Sequence, residues 1–310
     1  LFKKAYSVIG YPEAALMEGK MYLYGLGVPR DTAQAIVWFN KGYDYSASSM
    51  NRGGTQRFSP ANPEAMTART DAAMTLAKIY MVGWDVPKDP VRARDWYAKA
   101  DGLGYIPATH LLGQAARNGY GCPKNITQAV SYFKRAGQAG YAPAQYTLGV
   151  IYYTGEDTIA ENKPLAAAWL VAAAKHGHAG ALYAVGRMYD LGETVPEDPQ
   201  KAIVYYREAA KKGNADAENA LGLFFYTGEI VPKDVDTAHK LFEDAAKQGV
   251  PDAMFNLAVM YANGEGGPKD MALAYVWMKL AEASGNENAG PAAAEIGPKL
   301  TPEELSKAAA

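Results

Sequence analysis

The stretch Gly192–Gly228, GETVPEDPQKAIVYYREAAKKGNADAENALGLFFYTG, decides the fold. Pro196 and Asp198 mark a turn, and Asp198 is placed to accept a hydrogen bond from the free N–H groups opening the next helix. Ala202, Tyr205, Tyr206 and Ala209 recur at steps of three and four, one apolar face of a helix. Gly213 stops that helix, as a residue that tolerates positive φ does. Ala217, Leu221, Gly222 and Phe225 repeat the spacing for a second helix, ended by Gly228, where the pattern starts again. A helical hairpin of this size cannot bury both stripes alone and needs neighbours of its own kind.

Glycines matching Gly192 fall at 25, 83, 119, 155, 228 and 264, with steps of 58, 36, 36, 37, 36 and 36. Turns read V-P-R-D from Val28, V-P-K-D from Val86, C-P-K-N from Cys122, V-P-E-D from Val195, V-P-K-D from Val231 and G-P-K-D from Gly267. An alanine follows ten residues after each glycine (Ala35, Ala93, Ala129, Ala202, Ala238, Ala274), and one inserted residue moves it to Ala166 after Gly155. Small residues at fixed offsets let helices approach closely, so this is a packing code repeated along a stack. Such a period means a solenoid.

These residues resemble the Sel-one-like repeat family, a relative of the tetratricopeptide repeat. The resemblance rests on A-x-x-x-L-G-x-x-Y-x-x-G, present from Ala144 to Gly155 and, with Val185 for Leu, from Ala181 to Gly192. The V-P-K-D turn and A-x-x-W-[FY]-x-x-A from Ala93 to Ala100 complete it. It implies an all-α right-handed superhelix of about seven helix-turn-helix copies. It also implies a non-catalytic scaffold or adaptor for a protein or peptide, of the kind found in the bacterial envelope. Some relatives are immunity proteins that neutralise secreted toxins, the alternative expectation. Cysteine-rich relatives tied to β-lactam chemistry carry paired cysteines, which this chain lacks.

Composition fits this reading. The 310 residues hold 31 basic and 33 acidic side chains, a formal charge of −2, so the basic excess of a nucleic-acid binder is absent. No apolar run is long enough to span a bilayer. Cys122, the single cysteine, fills the apolar slot that Val has in other turns and reads as a packed thiol. Register places Leu1 partway through a second helix, with Gly10 matching Gly213; an upstream segment such as a leader or lipid anchor would fit, leaning towards a periplasmic or secreted protein. One solenoid is expected over 1–288 and a capping segment over 289–310, with Thr301, Pro302 and Glu304 opening a final helix through a capping box.

The one large break in period is the 58-residue step, whose excess lies at 44–63, DYSASSMNRGGTQRFSPANP. It reads as a tolerated surface insertion or, through Arg52, Arg57 and Phe58, as a binding loop. His176 and His178 flank Gly177, but no third ligand accompanies them, so no metal or other cofactor is expected. Asn125-Ile126-Thr127 has the form of a glycosylation site, yet Asn125 sits in a cap slot. The inserted residue of the Gly155 copy is placed near Asn162 and Pro164. Nucleophile elbows, phosphate loops and H-E-x-x-H motifs are absent, so a hydrolase is the last of the expectations.

The resemblance puts the first helix of each pair on the concave side. Counting back from each closing glycine, columns at minus nine, minus five and minus two lie off the packing stripe. They supply the expected partner-binding set: Tyr146, Tyr153, Tyr183, Arg187, Asn219 and Tyr226 at the centre, with His110, Arg117 and Phe255 beside them. The bland alternative is that these tyrosines pack against the next repeat. Tyr and Arg are the usual interface anchors.

Overall fold

A computed structural model describes residues 11–44 and 56–309. The expected half-repeat at 1–10 and Arg52 lie outside the described residues. The chain divides into two compact units, Leu1–His176 and Gly177–Ala310, where the sequence reading drew one solenoid.

The first unit holds four helical hairpins: α1 (Pro12–Tyr24) with α2 (Thr32–Asp44), α3 (Ala68–Val82) with α4 (Pro90–Gly102), α5 (Ile106–Asn118) with α6 (Ile126–Gln138), and α7 (Ala142–Thr154) with α8 (Lys163–Lys175). The second holds three: α9 (Ala179–Leu191) with α10 (Pro199–Ala210), α11 (Ala215–Thr227) with α12 (Val235–Lys247), and α13 (Pro251–Asn263) with α14 (Met271–Ala283). It closes with α15 (Ala289–Ile296), a 3-10 turn at Gly297–Lys299 and α16 (Pro302–Ala309). Within each unit the second helix of one hairpin packs on the first of the next. Among the described residues no strand occurs, only a bridge between Glu156 and Ile159.

The hairpins form where the turn chemistry dictates. Asp89, Asn125, Asn162, Asp198, Asp234 and Asp270 each cap a second helix, accepting the backbone N–H three residues on. Their own N–H groups reach back to the preceding helix, as in Asp198 N to Tyr189 O at 2.8 Å and Asp234 N to Phe225 O at 2.9 Å. Asn162 therefore holds the ordinary cap position, and the extra residue of its copy lies earlier. It is taken up at Glu156–Ile159, whose backbones exchange hydrogen bonds of 2.9 and 2.8 Å. This corrects the placement near Asn162 and Pro164.

One column of small residues sets how closely the paired helices meet. A Cβ on Gly19, Gly113, Gly149, Gly186 or Gly222 would stand 2.5, 2.5, 2.6, 2.7 or 2.7 Å from Phe39, Phe133, Leu170, Tyr206 or Phe242 respectively. Each large side chain fills the space its glycine leaves. Phe39, Phe133 and Phe242 are fully buried, and each such burial stabilises by about 1.5–3 kcal/mol.

At the C-terminal end α15 and α16 both pack on α14, and Ile296 and Leu300 join Ala258, Ala274 and Met278 in one apolar cluster. Thr301 and Glu304 form the reciprocal cap: Thr301 N donates to Glu304 at 2.8 Å and Glu304 N to Thr301 at 3.2 Å. The helix Ala289–Ile296 carries much of the covering apolar surface, in a region where the repeat pattern has already loosened.

Candidate partner-binding face

The first helices of the hairpins present the three columns, and each column has its own job. Two members of the minus-two column, Arg117 and Tyr226, pin one hairpin to the next. In the first unit Arg117 donates to Glu156 from Nε at 2.9 Å and from its terminal nitrogen at 2.6 Å. In the second the Tyr226 hydroxyl donates to Glu265 at 2.8 Å, and Asn263 also donates to that carboxylate at 3.2 Å. Both pins span 39 residues and end on the glutamate that follows the next closing glycine. Burial and then the Glu265 bond push the Tyr226 hydroxyl up, while Tyr226, with Asn263, holds Glu265 below the usual carboxylate range. Tyr153 is half-buried, with Lys163 5.4 Å from its ring.

The minus-nine column faces inward more than its spacing suggests. His110 is buried between Phe133 and Tyr141, with ring centroids 5.2 and 5.5 Å away. Gln114 lies 2.9 Å from its Nε2. His110 is therefore a core side chain, removed from any surface a partner could touch. Tyr183 packs on Tyr206 at 5.7 Å and hydrogen-bonds Arg187, and burial raises its pKa. The Tyr206 hydroxyl in turn donates to Asp190 at 3.0 Å. Asn219 accepts from Asn256 at 3.0 Å, and Phe255 is half-buried against the cluster around Phe242. Tyr146 is half-buried on α7.

The minus-five column is what the packing leaves outside. Lys78 and Gln114 are exposed in the first unit, Arg187 and Leu223 in the second, and Val150 and Val259 are half-buried. Leu223 is 41% exposed, and Leu191, one turn beyond Arg187, is 55% exposed. Of these, sequence reasoning selected Arg187 and passed over Leu223 and Leu191. It also missed the pinning glutamates, although Glu156, Glu193, Glu229 and Glu265 all follow a closing glycine.

The insertion divides differently from expectation. Arg57 is exposed, but Phe58 is half-buried against the first unit, edge-on to Tyr141 at 6.1 Å and packed on the cluster of Ala136, Tyr141 and Ala144. His178 caps α9, its Nδ1 accepting from Ala181 N at 3.3 Å, and Asn125 caps α6, accepting from Gln128 N at 2.9 Å. A cleft of about 670 Å³ is bounded by Lys269, Asp270, Leu273, Val276 and Glu304, away from the three columns. No helix among the described residues is long and apolar enough to cross a membrane.

The protein-family model of the Sel1 repeat matches residues 12–44, 70–100, 106–141, 142–178, 179–214, 215–250 and 251–286. The chain belongs to the Sel1 repeat family. These matches coincide with the seven hairpins, and the interval they skip after residue 44 contains the insertion. Among solved structures, a Sel1 repeat protein from Oxalobacter formigenes is 28% identical with a TM-score of 0.71, covering 93% of this chain and 76% of its own. The protective antigen c5321 of uropathogenic Escherichia coli is 23% identical, TM-score 0.47, covering 99% of this chain and 84% of its own. The immunity protein Pa5087 of Pseudomonas aeruginosa is 19% identical, TM-score 0.46, covering 75% and 88%. No curated protein matches. Sel1 repeats are in general non-catalytic scaffolds for protein interaction.

Proposed function

We propose that this chain is a non-catalytic scaffold that binds a protein or peptide along the exposed side of the first helices of its hairpins. The observation that carries this reading is the sorting of the columns in the second unit. Packing uses Tyr183, Asn219 and Tyr226, yet leaves Arg187, Leu191 and Leu223 facing out from α9 and α11. An arginine and two leucines left exposed on successive first helices offer a partner a charged anchor together with apolar surface. In the first unit Lys78 and Gln114 hold the same position, so the two units present different chemistry to a partner. Tyr146, Tyr153 and Phe255 border this face, half-buried.

The test is affinity capture from the native organism with the parent chain and with a variant carrying Arg187→Glu and Leu223→Glu. The parent should retain a stoichiometric partner that the variant loses while keeping its helical content. Equal capture by a folded variant would put the partner elsewhere. A secreted toxin as the captured protein would make the chain an immunity protein.

A further inference from the structure

Residues 56–67, which include the described end of the insertion, form a compact loop held by the chain itself. Its ends are drawn together by Gln56, whose side-chain amide donates to Ala65 O and accepts from Thr67 N at 3.3 Å. It is joined to the α4–α5 turn by Gln56 N, which donates to Leu103 O at 2.8 Å. Phe58, half-buried, then packs on the apolar cluster of Ala136, Tyr141 and Ala144, from α6, the turn after it and α7, which Ile106 of α5 also joins. Pro60 covers the next turn so closely that a Cβ on Gly140 would stand 2.9 Å from its Cγ. Glu64 completes the attachment: the Tyr105 hydroxyl donates to it at 2.9 Å, and Tyr141 hydrogen-bonds it too.

The two tyrosines are fitted to this loop. Tyr105 and Tyr141 hold equivalent positions 36 residues apart, the N-caps of α5 and α7, and neither caps its helix with its side chain. In the second unit the same position holds His178 and Asn214, which do cap, and Val250, which has no polar side chain to cap with. Tyr105 and Tyr141 are 3% and 8% exposed, whereas Tyr11, in the same register on α1, is 53% exposed. Of the corresponding glycines in the second unit, Gly213 and Gly249 have nothing within 4 Å of an added Cβ, and Gly177 meets only the end of the Lys212 side chain, at 3.2 Å. An aromatic ring is thus packed beside two hydroxyls that converge on one carboxylate.

We propose that the turn edge of the first unit is a segment-binding site for an aromatic residue followed by a carboxylate, occupied by the chain's own loop, which thereby clasps the α4–α5 and α6–α7 turns into one cooperative block. The ligand class is a loop that carries one aromatic ring and one carboxylate and has its ends held together. The site is separate from the face on the first helices, so substituting Arg187 and Leu223 leaves it intact.

Amide hydrogen exchange on the full chain tests this. With Phe58→Ala and Glu64→Ala, exchange in 103–109 and 139–145 should rise at least tenfold while the hairpins of the second unit stay unchanged. Unchanged protection in those two segments overturns the proposal. A cyclised peptide of residues 56–67, added at millimolar concentration (the range a short tether supplies), should restore protection. It should fail to do so once Tyr105→Phe and Tyr141→Phe are added; no restoration in the first variant overturns the binding site. Should the Ala pair lose its helical signal, the Phe pair alone removes only two hydroxyls. It should then raise exchange across the loop itself, and unchanged exchange there overturns the proposal.

Discussion

Single residues matter most here where two helices touch. A Cβ on Gly222 meets the Phe242 ring 2.7 Å away, inside any real contact. Gly222→Leu should therefore destabilise by at least about 1–3 kcal/mol, the usual cost of overpacking, read as a fall in Tm. Gly222→Ala should cost less, and adding Phe242→Leu to it should recover part of that loss by trimming the obstructing ring; a strictly additive double variant would place the contact elsewhere. His178 gives a pH prediction. Burial lowers its folded pKa from 6.5, so below that value the unfolded chain binds the proton more readily. Its contribution is then complete above about pH 6.5 and declines as pH falls towards the folded pKa. His178→Asn keeps a capping side chain, as Asn214 shows in the equivalent position, and should flatten that part of the stability profile. An identical slope in parent and variant would assign the titration to another group.

At the scale of an element, the second helices depend on their caps. Asp234 accepts from both the backbone N–H and the hydroxyl of Thr237, at 3.0 and 2.6 Å. Asp234→Ala should cost about 0.5–2 kcal/mol and raise exchange first in the opening turn of α12. A uniform rise along α12 and α13 would mean the cap governs docking more than helix initiation. The pins between hairpins are weaker. Tyr226→Phe removes one hydrogen bond to Glu265 and keeps the ring against Phe242, so it should cost about 0.5–1.5 kcal/mol in thermal unfolding. A much larger loss would show that the pin is coupled to further packing.

For the whole molecule, stability is a matter of neighbours. In a repeat protein each hairpin holds only those beside it, so damage spreads by contact and fades with distance. Gly222→Leu should raise exchange most in α11 and α12, less in α10 and α13, and not at all in α1–α3. Equal exchange throughout would mean that the chain unfolds as a single cooperative body. The clasp should make α4–α7 the exception, opening together because Phe58 and Glu64 bind two turns at once.

The sequence by itself determined the repeat, because its causes are local. A capping Asp, a closing glycine and a stripe at three- and four-residue steps act within one hairpin, and even the Gly222 column is legible since an aromatic side chain follows Gly19, Gly113, Gly186 and Gly222 by 20 positions in each case. What only the tertiary structure decided is which outward-pointing side chains are spent on packing. Arg117 and Tyr226 looked free because their partners, Glu156 and Glu265, lie a whole repeat away. His110 looked available because nothing in its own helix shows that Phe133 and Tyr141 enclose it. Phe58 read as a surface anchor for the same reason: the cluster it packs on, Ala136, Tyr141 and Ala144, exists only once later helices have packed. Helical periodicity says which way a side chain leaves its own helix; what it meets there is set by the spacing between hairpins, which no single hairpin encodes.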